Sequence, residues 1–205
     1  MLKIIDLKVG NIGSVVKALD YIGAEYELID DSQHLIGASK ILLPGVGSFD
    51  VAAKQLIASG FYDALQRSIL EEKIPILGIC VGMQLLAKFG YEGGKSKGLG
   101  FIDAEVVKIE CKDDTIRVPH MGWNSIDYGL NTFEIFDGND NDGCYYFVHS
   151  YHMVSEDQDA VTATVQHGAD MIAYINKGHI YGAQFHPEKS QAVGLQFLRN
   201  FIVQC

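Results

Sequence analysis

Over the first 90 residues, short apolar runs alternate with apolar stripes at helical spacing. Leu2 to Leu7 reads as a strand. Ile12, Val15, Val16, Leu19 and Ile22 then recur on one face of a helix, which Gly23 closes. Glu25 to Ile29 alternates as a second strand and Lys40 to Leu43 makes a third, with helical stretches at about 50 to 58 and 61 to 73. The run Ile74 to Ile79 predicts a buried strand. Met83, Leu85, Leu86 and Phe89 predict the start of a helix after it. Strand alternating with helix predicts a parallel sheet with helices on both faces. Ligands bind such sheets at the carboxyl ends of the strands. Pro44-Gly45-Val46-Gly47 and the stretch around Cys80 both fall there.

The pattern changes beyond Gly90. Five glycines between Gly90 and Gly100 predict a loop. Strand-like segments follow at 101–110, 116–118, 145–150, 160–166, 171–175 and 180–185, separated by turn clusters such as Gly138-Asn139-Asp140-Asn141-Asp142-Gly143. Val193, Leu195, Phe197, Leu198, Phe201 and Ile202 predict an amphipathic helix over about 190 to 203. No internal repeat or linker-like tract interrupts the chain. The expected architecture is one α/β domain over residues 1–205. Its central sheet is mixed and mostly parallel, with helices on both faces and antiparallel strands added by the second half.

Composition narrows the class. Hydrophobic residues make up 48% of the chain and charged residues 20%, which fits a globular protein with one sizeable core. No apolar run reaches the ~20 residues of a membrane span. The start, Met1-Leu2-Lys3-Ile4-Ile5-Asp6, has no signal-peptide pattern and reads as the first core strand of a cytoplasmic protein. A net charge of −10 argues against nucleic acid as the main partner. Cys80, Cys111, Cys144 and Cys205 show neither CxxC pairing nor metal-ligand spacing, so free thiols in a reducing compartment are expected.

Cys80 carries the most chemistry. Gly78 and Gly82 flank it at i−2 and i+2, the spacing of a nucleophile elbow, where a strained strand-to-helix turn exposes a reactive side chain. The amide that follows it and the helix start favour an anionic sulfur or an oxyanion. A small buried thiol is the competing reading, because free cysteines usually pack as small hydrophobes. A cysteine nucleophile needs a base, and the base needs an orienting partner. His186 follows the strand Ile180 to Phe185 at its carboxyl end, and Pro187 keeps the backbone extended. Residues i and i+2 then project to the same side, so Glu188 can fix the tautomer of His186. A surface loop with a fortuitous His-Pro-Glu is the alternative. Pro44-Gly45-Val46-Gly47 lacks a following Lys-Ser/Thr and any GxGxxG pattern, which leaves an oxyanion hole or an ordinary tight turn.

Taken in chain order, Pro44-Gly45-Val46-Gly47, Gly78-Ile79-Cys80-Val81-Gly82-Met83-Gln84 and Phe185-His186-Pro187-Glu188-Lys189-Ser190 resemble the motifs of class I, triad-type glutamine amidotransferases. Two further stretches, Val118-Pro119-His120-Met121-Gly122-Trp123-Asn124 and Tyr145-Tyr146-Phe147-Val148-His149-Ser150-Tyr151, narrow the resemblance. They look like the branch that supplies glutaminase subunits to imidazole glycerol phosphate synthases in histidine biosynthesis. The resemblance covers the chain from 1 to 205.

The resemblance implies a triad of Cys80 as nucleophile, His186 as base and acid, and Glu188 as orienter. It implies an oxyanion site at the amides of Val81 and of Val46 or Gly47. Glutamine would be bound by Gly45, Gln84, Glu92, His149, Ser150 and Tyr151, although Phe89-Gly90-Tyr91 departs from the family pattern before Glu92. No cofactor or metal is implied. The partner would be a (β/α)8-barrel cyclase subunit, joined as a heterodimer through Asn11, Trp123, Tyr146 and Lys189 and receiving ammonia. In this family the free subunit is a poor glutaminase, and the Pro44–Gly47 backbone rearranges when the partner's site is occupied. The family's first loop usually reads Asp-Tyr-Gly-x-Gly-Asn, whereas here it is Asp6-Leu7-Lys8-Val9-Gly10-Asn11. A lysine there could alter the partner, and relatives of these subunits supply ammonia for sugar amination in surface polysaccharide synthesis.

Overall fold

A computed structural model describes residues 1–9, 12–110, 116–139 and 143–205. Its strands are β1 (Leu2–Ile5), β2 (Tyr26–Ile29), β3 (Lys40–Gly45), β4 (Ile76–Cys80), β5 (Ala87–Gly90), β6 (Ser96–Lys97) and β7 (Ile102–Lys108). In the second half they continue as β8 (His120–Ser125), β9 (Cys144–His149), β10 (Tyr151–Ser155), β11 (Val161–Gln166), β12 (Asp170–Lys177) and β13 (Ile180–Ala183). The α-helices are α1 (Gly13–Tyr21), α2 (Phe49–Ala58), α3 (Phe61–Gln66), α4 (Val81–Gln84) and α5 (Gln191–Gln204).

Seven strands form the main sheet in the order β11-β12-β13-β4-β3-β1-β2. From β13 to β2 every pair is parallel, while β11 and β12 add antiparallel. The steps from β1 to β2 and from β3 to β4 run in opposite directions along the sheet. Right-handed crossovers therefore put α1 and the α2–α3 pair on opposite faces, and α5 packs beside α1. Strands buried on both faces are largely apolar, and the centres of β1, β3 and β4 follow this: Ile4, Ile5, Ile41, Leu42, Leu43, Ile76 and Leu77 have almost no exposed surface, while the buried Lys3 of β1 is paired with Glu27.

Local chemistry fixes the helix ends. Ser48 caps α2 by accepting from the Val51 amide, and Glu92 Oε2 accepts from the Phe49 amide at 2.8 Å. Lys40 Nζ donates to the carbonyls of Phe201 (2.8 Å) and Ile202 (2.6 Å), satisfying the last turn of α5.

The register places the functional end of the sheet. Gly45 lies opposite Cys80 on β3–β4, and Ala183 lies opposite Ile79 on β13–β4. The carboxyl ends of three adjacent parallel strands thus meet at one edge of the core.

Four expectations need correction. The helix after Cys80 is a single turn, and Phe89 lies on β5. The backbone leaves the helix because Leu99 and Ile102 amides capture the carbonyls of Leu85 and Leu86. An apolar cluster of that length suits a buried strand as well as a helix. No strand forms at 116–118. Two strands not anticipated, β8 and β10, pair instead with β9 and β7. The second half also does not all join the central sheet: β10-β7-β5-β6 make a separate sheet and β8-β9 a two-stranded ribbon. Of the turn cluster at Gly138–Gly143, residues 140–142 lie outside the described residues, as does Cys111.

Candidate active site

Cys80 ends β4 with φ 54° and ψ −111°, a conformation L-residues rarely adopt. Close backbone packing holds it. A Cβ on Gly82 would collide with the Leu43 carbonyl of β3, and one on Gly78 would collide with Gly82 itself. A Cβ on Gly45 would come 2.8 Å from the Gly82 amide nitrogen. The i−2 and i+2 glycines thus let α4 lie directly on the strand ends and turn the thiol toward a cleft.

That cleft, of about 390 Å³, is lined by Cys80, Val81, Gln84, Val46, Gly47 and Glu92 from the first half of the chain. Pro119, Val148, His149, Ser150, Tyr151, His186, Glu188 and Lys189 close it from the second. Nearly all sequence-derived site residues therefore meet. Gly45 does not line this cleft: it lies beneath it, where close packing against Gly82 accounts for it.

His186 and Glu188 form a buried pair, with His186 Nδ1 donating to Glu188 Oε1 at 2.8 Å. A carboxylate can only accept, so the proton sits on Nδ1 and Nε2 keeps the lone pair. Among the described residues, Nε2 is buried with no hydrogen-bond partner. Burial alone would lower the His186 pKa, but the neighbouring Cys80 sulfur and Glu188 outweigh it, and the net direction is upward. His186 is thereby disposed to take up a proton at Nε2. The loop is stitched to β9: the His186 amide donates to the Tyr146 carbonyl (2.8 Å), and Ser190 Oγ accepts from the Tyr146 amide (3.0 Å) and donates to the His186 carbonyl (2.6 Å).

The far wall is a hydrogen-bonded relay. The Tyr151 carbonyl accepts from His149 Nδ1 (2.9 Å) and from Gln84 Nε2 (3.0 Å). His149 Nε2 must then accept from His120 Nδ1 (3.1 Å), leaving His120 Nε2 facing the Asn124 amide (3.4 Å). Both imidazoles are held neutral. Burial pushes His149 down to about 3, and burial with the adjacent His167 pushes His120 down to about 4. Both ring nitrogens of His149 are thus committed within the protein, so its part in the site is to hold the wall. Glu92 likewise spends one carboxylate oxygen on the α2 cap and still lines the cleft.

At the mouth, Trp123 is half exposed and packs edge-on to Tyr146, with ring centroids 5.6 Å apart, and Lys189 Nζ lies 5.7 Å from the Tyr146 ring centre. Met121, two residues before Trp123 on β8, is exposed as well. Asn11, also expected at a partner interface, lies outside the described residues. Lys8 is bound within its own chain, 2.9 Å from Asp6 and 3.1 Å from Asp30.

Gln184 was missed from the sequence. It is fully buried, with Nε2 3.8 Å from Cys80 Sγ. The β13–β4 register, which pairs Ala183 with Ile79, is what brings it abreast of Cys80, and spacing along the chain does not show that register. His120 was missed too, because its partner is fixed by strand register and not by spacing: His120 lies directly opposite His149 on β8–β9.

A thiol at a strained elbow, beside an oriented imidazole with a free Nε2 and the Val46–Gly47 turn lining the same cleft, is equipped for nucleophilic acyl transfer. The chain as a whole is similar to known proteins. The class-I glutamine amidotransferase family model matches residues 3–205. A Campylobacter jejuni protein named imidazole glycerol phosphate synthase subunit HisH 1 is 48% identical, over 98% of this chain and 99% of the relative. The HisH 2 protein of Pseudomonas aeruginosa, of the same name otherwise, is 39% identical over 98% of each. Among solved structures, a glutamine amidotransferase from Thermotoga maritima superposes with a TM-score of 0.65 at 17% identity, covering 98% of this chain and 81% of its own.

Proposed function

Because the chain belongs to the class I glutamine amidotransferases, we propose that it is the glutaminase subunit of an imidazole glycerol phosphate synthase, acting in histidine biosynthesis. The names of relatives that match over nearly their whole length support this reading over a sugar-aminating role. Residues 1–205 act as one amidotransferase domain, a reading supported by a main sheet that draws strands from both halves of the chain.

The observation that carries the chemistry is the bare, buried Nε2 of a His186 oriented by Glu188 at the Cys80 elbow. His186 takes the thiol proton, and Cys80 Sγ attacks the side-chain amide carbon of glutamine. The Val81 amide, with one from Val46 or Gly47, holds the oxyanion. His186 then returns a proton to the leaving nitrogen, which departs as ammonia and leaves a γ-glutamyl thioester. Water activated by His186 hydrolyses the thioester, releasing glutamate and restoring the thiol. Gln84, Glu92 and the His149–Tyr151 stretch frame the substrate's amino-acid end, with Ser150 and backbone groups as the available contacts. Ammonia passes to a synthase partner, a (β/α)8-barrel cyclase that forms imidazole glycerol phosphate and AICAR. The partner docks over Trp123, Tyr146 and Lys189.

The test is Cys80→Ala in the complex with the cyclase. Glutamine-dependent product should fall by more than about 1,000-fold, while ammonia-dependent synthesis stays intact. Loss of both activities would assign Cys80 a structural role and reject the proposal.

A further inference from the structure

Among the described residues, Gln184 is the polar side chain outside the triad that hydrogen-bonds the Cys80 sulfur. It follows Ala183, which pairs with Ile79 across β13–β4, so the register brings Gln184 abreast of Cys80. It is fully buried. Its amide hangs in a chain of three hydrogen bonds with one possible direction. The Tyr151 carbonyl can only accept, so the Gln84 nitrogen that meets it at 3.0 Å is a donor. The second hydrogen of that nitrogen faces Gln184 at 3.1 Å, and the Gln184 atom there must be the oxygen. The Gln184 NH₂ then has to face Cys80 Sγ, at 3.8 Å. One backbone carbonyl on β10 thus dictates, through two glutamine side chains, that the sulfur receives a donor and not an acceptor.

We propose that Gln184 is a positioning residue for the glutaminase reaction: its N–H, aimed by Gln84 and Tyr151, holds the Cys80 sulfur in its anionic form on the line of attack. This deepens the reading given above and rests on it. A buried sulfur that carries charge before attack needs donors, and His186 supplies only one. Gln184 supplies a second that stays in place when His186 carries its proton to the leaving nitrogen. The coupling also ties the nucleophile to Gln84, at the substrate end of the cleft, so sulfur and substrate are registered against the same strand.

Two near-isosteric variants test this. Gln184→Met removes the donor and the acceptor, whereas Gln184→Glu keeps an oxygen for Gln84 but sets an acceptor against the sulfur. Two readouts are compared with wild type: the pH profile of Cys80 alkylation by iodoacetamide, and kcat and KM for glutamine in the cyclase complex. Expected for Gln184→Met are an alkylation profile displaced to higher pH, alkylation near neutral pH slowed about tenfold, and kcat lowered about tenfold with KM changed less than about threefold. Gln184→Glu should be slower still in both. If Gln184→Met does not fold, the Glu variant alone decides. A wild-type alkylation profile in the folded variants overturns the proposal, whether kcat holds or falls together with melting temperature. Alkylation uses no glutamine, so a wild-type protein without glutaminase activity would reject the function while leaving this inference to be judged on the thiol.

Discussion

The two walls of the cleft are built by different physics. On the elbow side, β3, β4 and α4 meet backbone to backbone, and a single added methyl group at Gly82 would enter the Leu43 carbonyl. On the histidine side, β8, β9 and Tyr151 meet through side-chain hydrogen bonds running from Asn124 through His120 and His149 to one carbonyl. The first wall is fixed by repulsion and tolerates no side chain. The second is fixed by complementary donors and acceptors and tolerates no extra proton. A strained nucleophile needs the former, because only hard contact holds φ at 54° against relaxation. A wall that must present polar groups without charge is better made by the latter.

The most severe way to break the contrast is Gly82→Ala. Either α4 or β3 must move, and we expect a loss of more than about 3 kcal/mol in urea unfolding together with loss of turnover. Wild-type stability in this variant would mean that the elbow wall yields, and the distinction between the walls would fall.

The difference also decides what can be read from sequence. Hard backbone contact requires glycine, and glycine at fixed spacing around a cysteine is visible in the chain: Gly78, Cys80 and Gly82 announce the elbow. His186 and Glu188 are legible as a pair, but not through the extended chain expected of Pro187: residues Pro187–Lys189 form a 3₁₀ turn, which brings Glu188 against the His186 ring. The histidine relay joins residues 120, 124, 149 and 151 through the β8–β9 register, and β8 was not anticipated. Hydrogen-bonded partners far apart in sequence carry no local signature, so His120 and Gln184 surface only once the strands are paired. The parallel half of the sheet was legible because its strands are continuous apolar runs and recognisable helices follow β1 and β3. The segments after Gly90 were less so: their apolar runs do not say which of three sheets they join.

Acid tests the second wall. The folded-state values of His149, about 3, and His120, about 4, lie below the ordinary 6.5. The unfolded chain therefore binds more protons across that interval. Their stabilising contribution is present above pH 6.5 and is lost as pH falls toward about 3. His152, also lowered by burial, acts in the same direction. Urea midpoints at pH 7.5 and 4.5 should differ clearly for the wild type and differ less for His120→Phe, which starts lower for want of a partner for His149. An undiminished gap in the variant would place the acid sensitivity elsewhere.

The gentlest perturbation separates the two kinds of constraint at a single residue. Gly47 has φ 98°, which only glycine adopts readily, yet a Cβ there would meet nothing within 4 Å. It borders the elbow without being wedged into it, so its conformation is a matter of backbone preference and not of collision. Gly47→Ala should therefore cost only about 1–2 kcal/mol of stability, because the exposed loop can relax toward negative φ. The same relaxation swings the peptides that carry the Val46 and Gly47 amides, so glutamine turnover in the cyclase complex should fall more than about tenfold. Alkylation of Cys80 should proceed at the wild-type rate, since the elbow itself is untouched. If turnover survived with stability reduced, the loop would be a bystander, and the oxyanion would have to be held by the elbow wall alone.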